Sequence, residues 1–228
     1  METDTQSGAG AVLLDVDGTL VDSNYLHVEA WVRALKLVGR QVDSWRVHRA
    51  IGMGSSQLIA SLLGAVEAER LEDEVSTYHE ALYLDLAERL RPLPGARDLV
   101  VEIARRGARP VLATSAAPKE LARLREVLAV DEHLYAVTSA QDVQTAKPDP
   151  ELVHTALQAA GVPAAQAVMV GDSVWDVLAA ERAGVACIAV RSGGIGEAEL
   201  RDAGAVVVYA DTAELLSALD DSPLAAIM

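Results

Sequence analysis

A chain of 228 residues, 51% of them apolar, is long enough for one large domain or for a core domain carrying a smaller insert. Its formal net charge of −15 repels phosphate backbones and anionic lipid, which sets nucleic acid and membrane surfaces aside as partners. Lysine occurs only as Lys36, Lys119 and Lys147, so an anion site must draw on metal, backbone N–H groups and a few chosen cations.

The chain opens on METDTQSGAG, which is polar and lacks the basic and apolar regions of a signal peptide. Residues 1–10 read as a frayed tail. No apolar run reaches membrane-spanning length, and a cytoplasmic location is expected. AVLLDV reads as a short strand, too continuously apolar for a one-faced sheet. From Ser23 to Arg91 the pattern is helical throughout. NYLHVEAWVRALKLVG carries Leu26, Ala30, Leu35 and Val38 near helical spacing and stops at Gly39. SWRVHRAI is a second helix, broken by IGMGSS. Ser55 or Ser56 suits the cap of a third, QLIASLLG, and a longer helix runs from about Glu67 to Leu90.

RPLPG, Arg91 to Gly95, is a Pro/Gly break that reads as the end of an insertion. Alternation follows. Helices over Ala96–Arg106, Pro118–Leu128, Pro150–Ala160 and Val174–Ala183 precede the strands RPVLAT, LYAVTS, AVMVGD and VACIAV. A shorter helix, EAELRDAG, precedes AVVVYA, and a last helix covers Thr212 to Leu219. This order predicts an α/β fold, a Rossmann-like three-layer core with a parallel sheet. The single cysteine, Cys187, lies in VACIAV, which rules out an intrachain disulfide and CxxC metal spacing; it reads as a small buried strand residue.

In open parallel sheets, ligands bind beyond the carboxyl ends of the strands. The polar residues expected there are Asp15 and Asp17 after the first strand, Thr114 and Ser115 after RPVLA, Lys147 after LYAVTS, and Asp172 and Asp176 after AVMVG. Carboxylates crowded at one rim need a positive partner. An oxygen-seeking divalent cation such as Mg²⁺ suits one or two carboxylates plus a phosphate, and leaves one carboxylate free as a nucleophile toward phosphorus. Asp-Gly after a strand is also a common turn, and Asp176 also suits the first turn of a helix, where an acid is favoured by the dipole. Pro148, Asp149 and Pro150 fix the exit of Lys147 by favouring extended backbone, a cap and a first helical turn in succession.

DVDGTL resembles the first motif of the haloacid dehalogenase (HAD) superfamily in its DxDGT phosphatase form, and LATS, KPDP and GDSVWD resemble the second, third and fourth, in the same order. The resemblance implies a HAD-like core over 1–22 and 92–228 with an all-helical cap of the C1 type inserted at 23–91. By matching position it implies Asp15 as nucleophile and metal ligand. Asp17 would be general acid and base, with its carbonyl on the metal. Thr114 would bind the phosphoryl group, Lys147 would orient Asp15 and the phosphate, Asp172 would bind Mg²⁺ and Asp176 would support its water shell; Ser115 and the backbone around Gly18 are further substrate-binding candidates. DSNYLHVEAW is similar to the D-x-x-x-x-H-x-x-A-W pattern of C1-capped relatives such as β-phosphoglucomutase. This places His27 either at the mouth of the site or, partly buried, beside a core Trp31. Arg49, before the IGMG loop, contacts an anionic substrate or is a solvated helix residue.

Asp17 disfavours dehalogenation, which needs no acid at that position, and Lys36 is poorly placed for the Schiff base of a phosphonoacetaldehyde hydrolase. The expectation is a Mg²⁺-dependent phosphatase of the phosphoglycolate phosphatase kind, acting on a small phosphorylated metabolite as a monomer or weak homodimer. A sugar phosphate mutase and a catalytically silent binding module are the alternatives.

Overall fold

The Val-rich runs pair into a six-stranded, all-parallel sheet in the order β3-β2-β1-β4-β5-β6. The strands are β1 (Ala11–Leu14), β2 (Arg109–Ala113), β3 (Ala136–Thr138), β4 (Ala167–Gly171), β5 (Ala186–Val190) and β6 (Val207–Tyr209). The computed structural model describes residues 9–228, so the frayed tail lies, up to residue 8, outside the described residues. β1 sits between β2 and β4 with Leu14 in register with Leu112 on one side and Val170 on the other. Each β1 residue is wholly buried, as expected of a strand covered on both faces.

The helices, in chain order, are α1 (Asn24–Leu37), α2 (Ser44–Ala50), α3 (Ser55–Leu63), α4 (Ala65–Asp85), α5 (Ala96–Arg105), α6 (Pro118–Leu128), α7 (Glu151–Ala160), α8 (Val174–Arg182), α9 (Glu197–Asp202) and α10 (Thr212–Ser217). Strand alternation sends Val12 and Leu14 to one face, where they meet Leu99 and Ile103 of α5, Leu124 of α6 and Leu215 of α10. Ala11 and Leu13 point to the other face, toward Val153 and Ala156 of α7, Val177 of α8 and Leu200 of α9.

The segment between β1 and α5 is helical, and α1 to α4 enclose an apolar cluster of their own around Trp31, Leu35, Val47, Leu58, Ile59 and Val75. Two sequence expectations need correction here. The N-cap of α3 is Gly54, and Ser55 is its first helical residue; Ser56 Oγ bonds Glu72 on α4 instead of the helix end. The long helix starts at Ala65, directly after Gly64 turns the chain with φ 85°, and ends at Asp85 in place of Leu90. A 3-10 turn follows at Ala87–Arg89, Leu90 is extended, and Pro92 disfavours a return to helical backbone at Arg91.

The chain leaves and re-enters the core side by side. Asp22 N–H donates to Arg91 O at 2.9 Å, Leu93 N–H donates to Leu20 O at 2.9 Å, and the Arg91 guanidinium pairs with Asp22 at 2.5 Å. Between the helical segment and the rest of the chain, Gln57 donates to Ala146 O at 3.2 Å and Trp175 Nε1 donates to Arg49 O at 3.2 Å. No helix among the described residues is long and apolar enough to cross a membrane.

Candidate active site

The carboxyl end of β1 holds the site because the sheet order turns there, with β2 on one side and β4 on the other. Asp15 remains pinned to the sheet, its N–H donating to Val170 O at 3.0 Å. The chain then coils tightly, with the N–H groups of Leu20 and Val21 both on Val16 O at 2.9 Å. Gly18 makes the turn at φ 75°, and a side chain there would come within 2.5 Å of Asp172 Oδ2. Asp172 follows β4, Asp176 lies in the first turn of α8, and Lys147 reaches in from the loop before α7. Asp15, Asp172 and Asp176 are 6%, 3% and 1% exposed, and Lys147 is fully buried.

Lys147 Nζ lies 2.5 Å from Asp15 Oδ1 and 2.7 Å from Asp176 Oδ1, so one ammonium holds two carboxylates. Thr19 Oγ1 lies between Asp15 and Asp172, at 3.3 and 3.2 Å, and Asn24 Nδ2 donates to Asp172 Oδ2 at 2.8 Å. Asp176 serves the first turn of α8, where its Oδ2 accepts from Ser173 N and Oγ at 3.1 and 2.6 Å, while its Oδ1 faces Lys147.

Three buried acids share a single lysine. Burial, opposed by Lys147, pushes the Asp15 carboxyl up to about 7. Burial, together with the charges of Asp176 and Asp15, drives Asp172 well above the usual carboxylate range, while the two anions raise the Lys147 ammonium's affinity for its proton despite burial. The site is thus short of positive charge. Carboxylate oxygens of Asp15, Asp172 and Asp176 lie within 4.8 Å of one another, an all-oxygen donor set that fits a hard divalent cation.

The Asp17 side chain turns away from this cluster. Its Oδ1 accepts from Ser23 Oγ at 2.6 Å and from His27 Nε2 at 3.2 Å. Ser23, at the N-cap position of α1, spends its hydroxyl on Asp17 and makes no cap bond. His27 continues inward: its Nδ1 is 3.0 Å from His79 Nε2, and His79 Nδ1 is 3.4 Å from Glu120 Oε1. The rings are braced by stacking, His27 on Tyr83 at 3.9 Å and His79 on Trp31 at 3.8 Å between centroids. Burial alone would lift Asp17, but the charge and hydrogen bonds of His27, with Ser23, bring its carboxyl below the usual value. Burial likewise works against the His27 proton, and Asp17 outweighs it and raises that proton's affinity. His79, buried and beside a cationic His27, is held well below its ordinary range. With the proton on His27, its ring donates to Asp17 and His79, and neutral His79 turns its Nδ1–H to Glu120.

A cavity beside these groups is lined by Asp15, Asp17, His27, His79, Ser115 and Glu120, with Trp31, Ile51, Met53 and Leu58 as its apolar wall. Thr114 is buried next to it, its Oγ1 accepting from Ala116 N at 3.1 Å. Arg49 stands apart, its guanidinium paired with Glu199 of α9. The neighbouring His48 bonds Gly193 O at 2.8 Å and stacks on Tyr25. Sequence reading missed Asn24, His79 and Glu120. Asn24 had a faint signal in its nearness to DVDGT, whereas His79 and Glu120 sit on helices with nothing local to mark them.

A family model described as haloacid dehalogenase-like hydrolase matches residues 9–184. A phosphoglycolate phosphatase of Cupriavidus necator is 34% identical over 215 residues, covering 92% of each chain. One of Pseudomonas fluorescens is 31% identical over 188 residues, 80% of this chain and 69% of that protein. The crystal structure of a hydrolase from Pseudomonas syringae superposes with a TM-score of 0.87 at 32% identity, covering 93% of this chain and 98% of that one.

Proposed function

Because the chain belongs to the haloacid dehalogenase-like hydrolase family and is a phosphatase, we propose that it hydrolyses a small-molecule phosphate monoester through an aspartyl phosphate on Asp15, with Mg²⁺ as cofactor. The observation that carries this reading is the division of labour between two aspartates one residue apart. Asp15 faces Lys147 and the acid cluster, while Asp17 faces Ser23 and His27.

An oxygen of the Asp15 carboxylate attacks phosphorus, and the ester P–O bond breaks. The departing alkoxide takes a proton from Asp17, which His27 resupplies: the pair shares one proton, resting on His27 in the free site. Asp17 then accepts a proton from water, whose oxygen attacks phosphorus and breaks the bond to Asp15, releasing phosphate. Lys147 holds Asp15 in line and balances charge on the transferring group. Asp15, Asp172 and Asp176 would hold Mg²⁺, with the Asp17 carbonyl beside them; the ion would supply charge neutralisation at the phosphoryl oxygens. The helical segment 23–91 acts as a cap hinged where the backbone at Asp22 pairs with that at Arg91, closing over the site to exclude water.

The mutase alternative calls for a cation to grip a distal phosphate, and Arg49 is instead engaged with Glu199 outside the cavity. Hydrolysis of p-nitrophenyl phosphate is the test. Turnover should require Mg²⁺, vanish with EDTA and be abolished in Asp15→Asn; absence of metal-dependent phosphate release from a broad monoester panel overturns the reading.

A further inference from the structure

The cavity over Asp15 is small, about 50 Å³, and adjoins a second of about 240 Å³ that shares Ser55, Ser115 and Glu120 as its lining. The phosphoryl end is fixed by Asp15 and Lys147, so the shared lining is where the rest of the substrate lies. No lysine or arginine lines either cavity. The cations nearest in sequence are committed elsewhere: Arg49 to Glu199, and Lys119, one residue from Glu120, to Glu80 at 2.5 Å on the outside.

The two imidazoles do not replace them. His27 has its nitrogens on Asp17 and His79, and those of His79 face His27 and Glu120, so no ring N–H is left for a ligand. The charged side chain at the junction is Glu120, 6% exposed, with Oε2 accepting from Ala117 N at 3.2 Å. Ionised, it repels an anion; protonated, it offers no positive charge. A second anionic group would therefore be stripped of water beside a carboxyl, with no lysine or arginine in the lining and with the charge and both N–H groups of His27 already spent on Asp17 and His79, which is the costly case of charge burial. A hydroxylated group is served well. Ser115 Oγ is buried without a partner, and Ser55 and Thr145 add hydroxyls along the path.

We propose that this junction is a leaving-group subsite for a neutral, hydroxyl-bearing alcohol, and that Glu120 excludes monoesters bearing a second anionic group. The relatives named above are phosphoglycolate phosphatases, and phosphoglycolate carries a carboxylate next to its ester; on this inference it is a poor substrate for this chain. The inference rests on the hydrolase reading of the same site.

The experiment compares kcat/KM for glycerol 3-phosphate and 2-phosphoglycolate, similar in size and differing in that charge, with p-nitrophenyl phosphate as the general monoester. Glycerol 3-phosphate should exceed phosphoglycolate by about tenfold or more, and the ratio should fall about tenfold in Glu120→Gln, chiefly through KM for phosphoglycolate. Glutamine keeps an acceptor for Ala117 N–H, so the helix start is preserved. Phosphoglycolate turned over as well as glycerol 3-phosphate, with p-nitrophenyl phosphate hydrolysed, overturns the inference and leaves the hydrolase reading intact. A preference that Glu120→Gln leaves unchanged removes Glu120 as its source. Failure to hydrolyse any of the three removes both.

Discussion

Replacing Lys147 with methionine keeps most of the side-chain volume and deletes the one ammonium among three buried carboxylates. Asp15 and Asp176, at 2.5 and 2.7 Å, lose their common partner in a place without solvent. Breaking a buried pair by removing one member costs about 3–5 kcal/mol, because the remaining charge is left uncompensated. For a domain of this size each kcal/mol moves the melting point by about 2–4 °C, so Lys147→Met should melt about 6–20 °C below the parent in EDTA at neutral pH. Lys119→Met is the control: its pair with Glu80 also measures 2.5 Å, but the lysine side chain is 69% exposed and the expected cost is at most about 1 kcal/mol. Mg²⁺ should recover part of the loss in Lys147→Met, since it supplies charge to the same oxygens, and little in Lys119→Met. Thermal and urea unfolding with and without Mg²⁺ give both numbers. A Lys147→Met protein as stable in EDTA as Lys119→Met would refute the idea that these acids depend on Lys147.

Other outcomes are open to measurement. Folding lowers the proton affinity of His79, so its contribution is fully present above the unfolded value near 6.5 and is lost as the pH falls toward the lower folded value. The stability difference between the parent and His79→Gln should therefore be flat above about pH 6.5 and shrink below it in urea melts; a constant difference down to pH 5 would contradict the neutral, buried assignment. A methyl group at Gly193 would lie 1.6 Å from Asp172 Oδ2. Gly193→Ala should raise the Mg²⁺ concentration needed for half-maximal activity by about 10–100-fold, as for other changes to the support of a metal ligand. Gly196→Ala, with nothing within 4 Å of the added carbon, should stay within about 1 kcal/mol of the parent in stability and keep its Mg²⁺ requirement; equal effects of the two changes would show that the crowding at Asp172 is relieved cheaply.

The βα alternation after Arg91 was readable because each strand is a short, mainly apolar run bounded by turn residues, and the parallel order then required their carboxyl ends to share a rim. That is why Asp15, Lys147, Asp172 and Asp176 could be gathered from positions up to 161 residues apart. The roles given to them come from the resemblance and stand as proposals. Helix ends in the 23–91 segment were less readable, since Gly54 and the serines after it all suit a cap and the choice is made by Glu72 on another helix. The row His27–His79–Glu120 was not readable at all. His79 and Glu120 are each one polar residue among many on an amphipathic helix, and only the packing of α4 against α6 brings them together.

The backbone pairing of Asp22 with Arg91 brings the two ends of the helical segment to adjacent points on the core, and each part has an apolar cluster of its own. Insertion there leaves the register of β1 with β2 and β4 untouched. The rim nevertheless draws part of its support from the helical segment, because Ser23 and His27 hold Asp17 and Asn24 holds Asp172. A foreign helical segment spliced between Asp22 and Arg91 would leave the sheet pairing as it is, but would have to bring its own counterparts of Ser23, Asn24 and His27 to serve the rim.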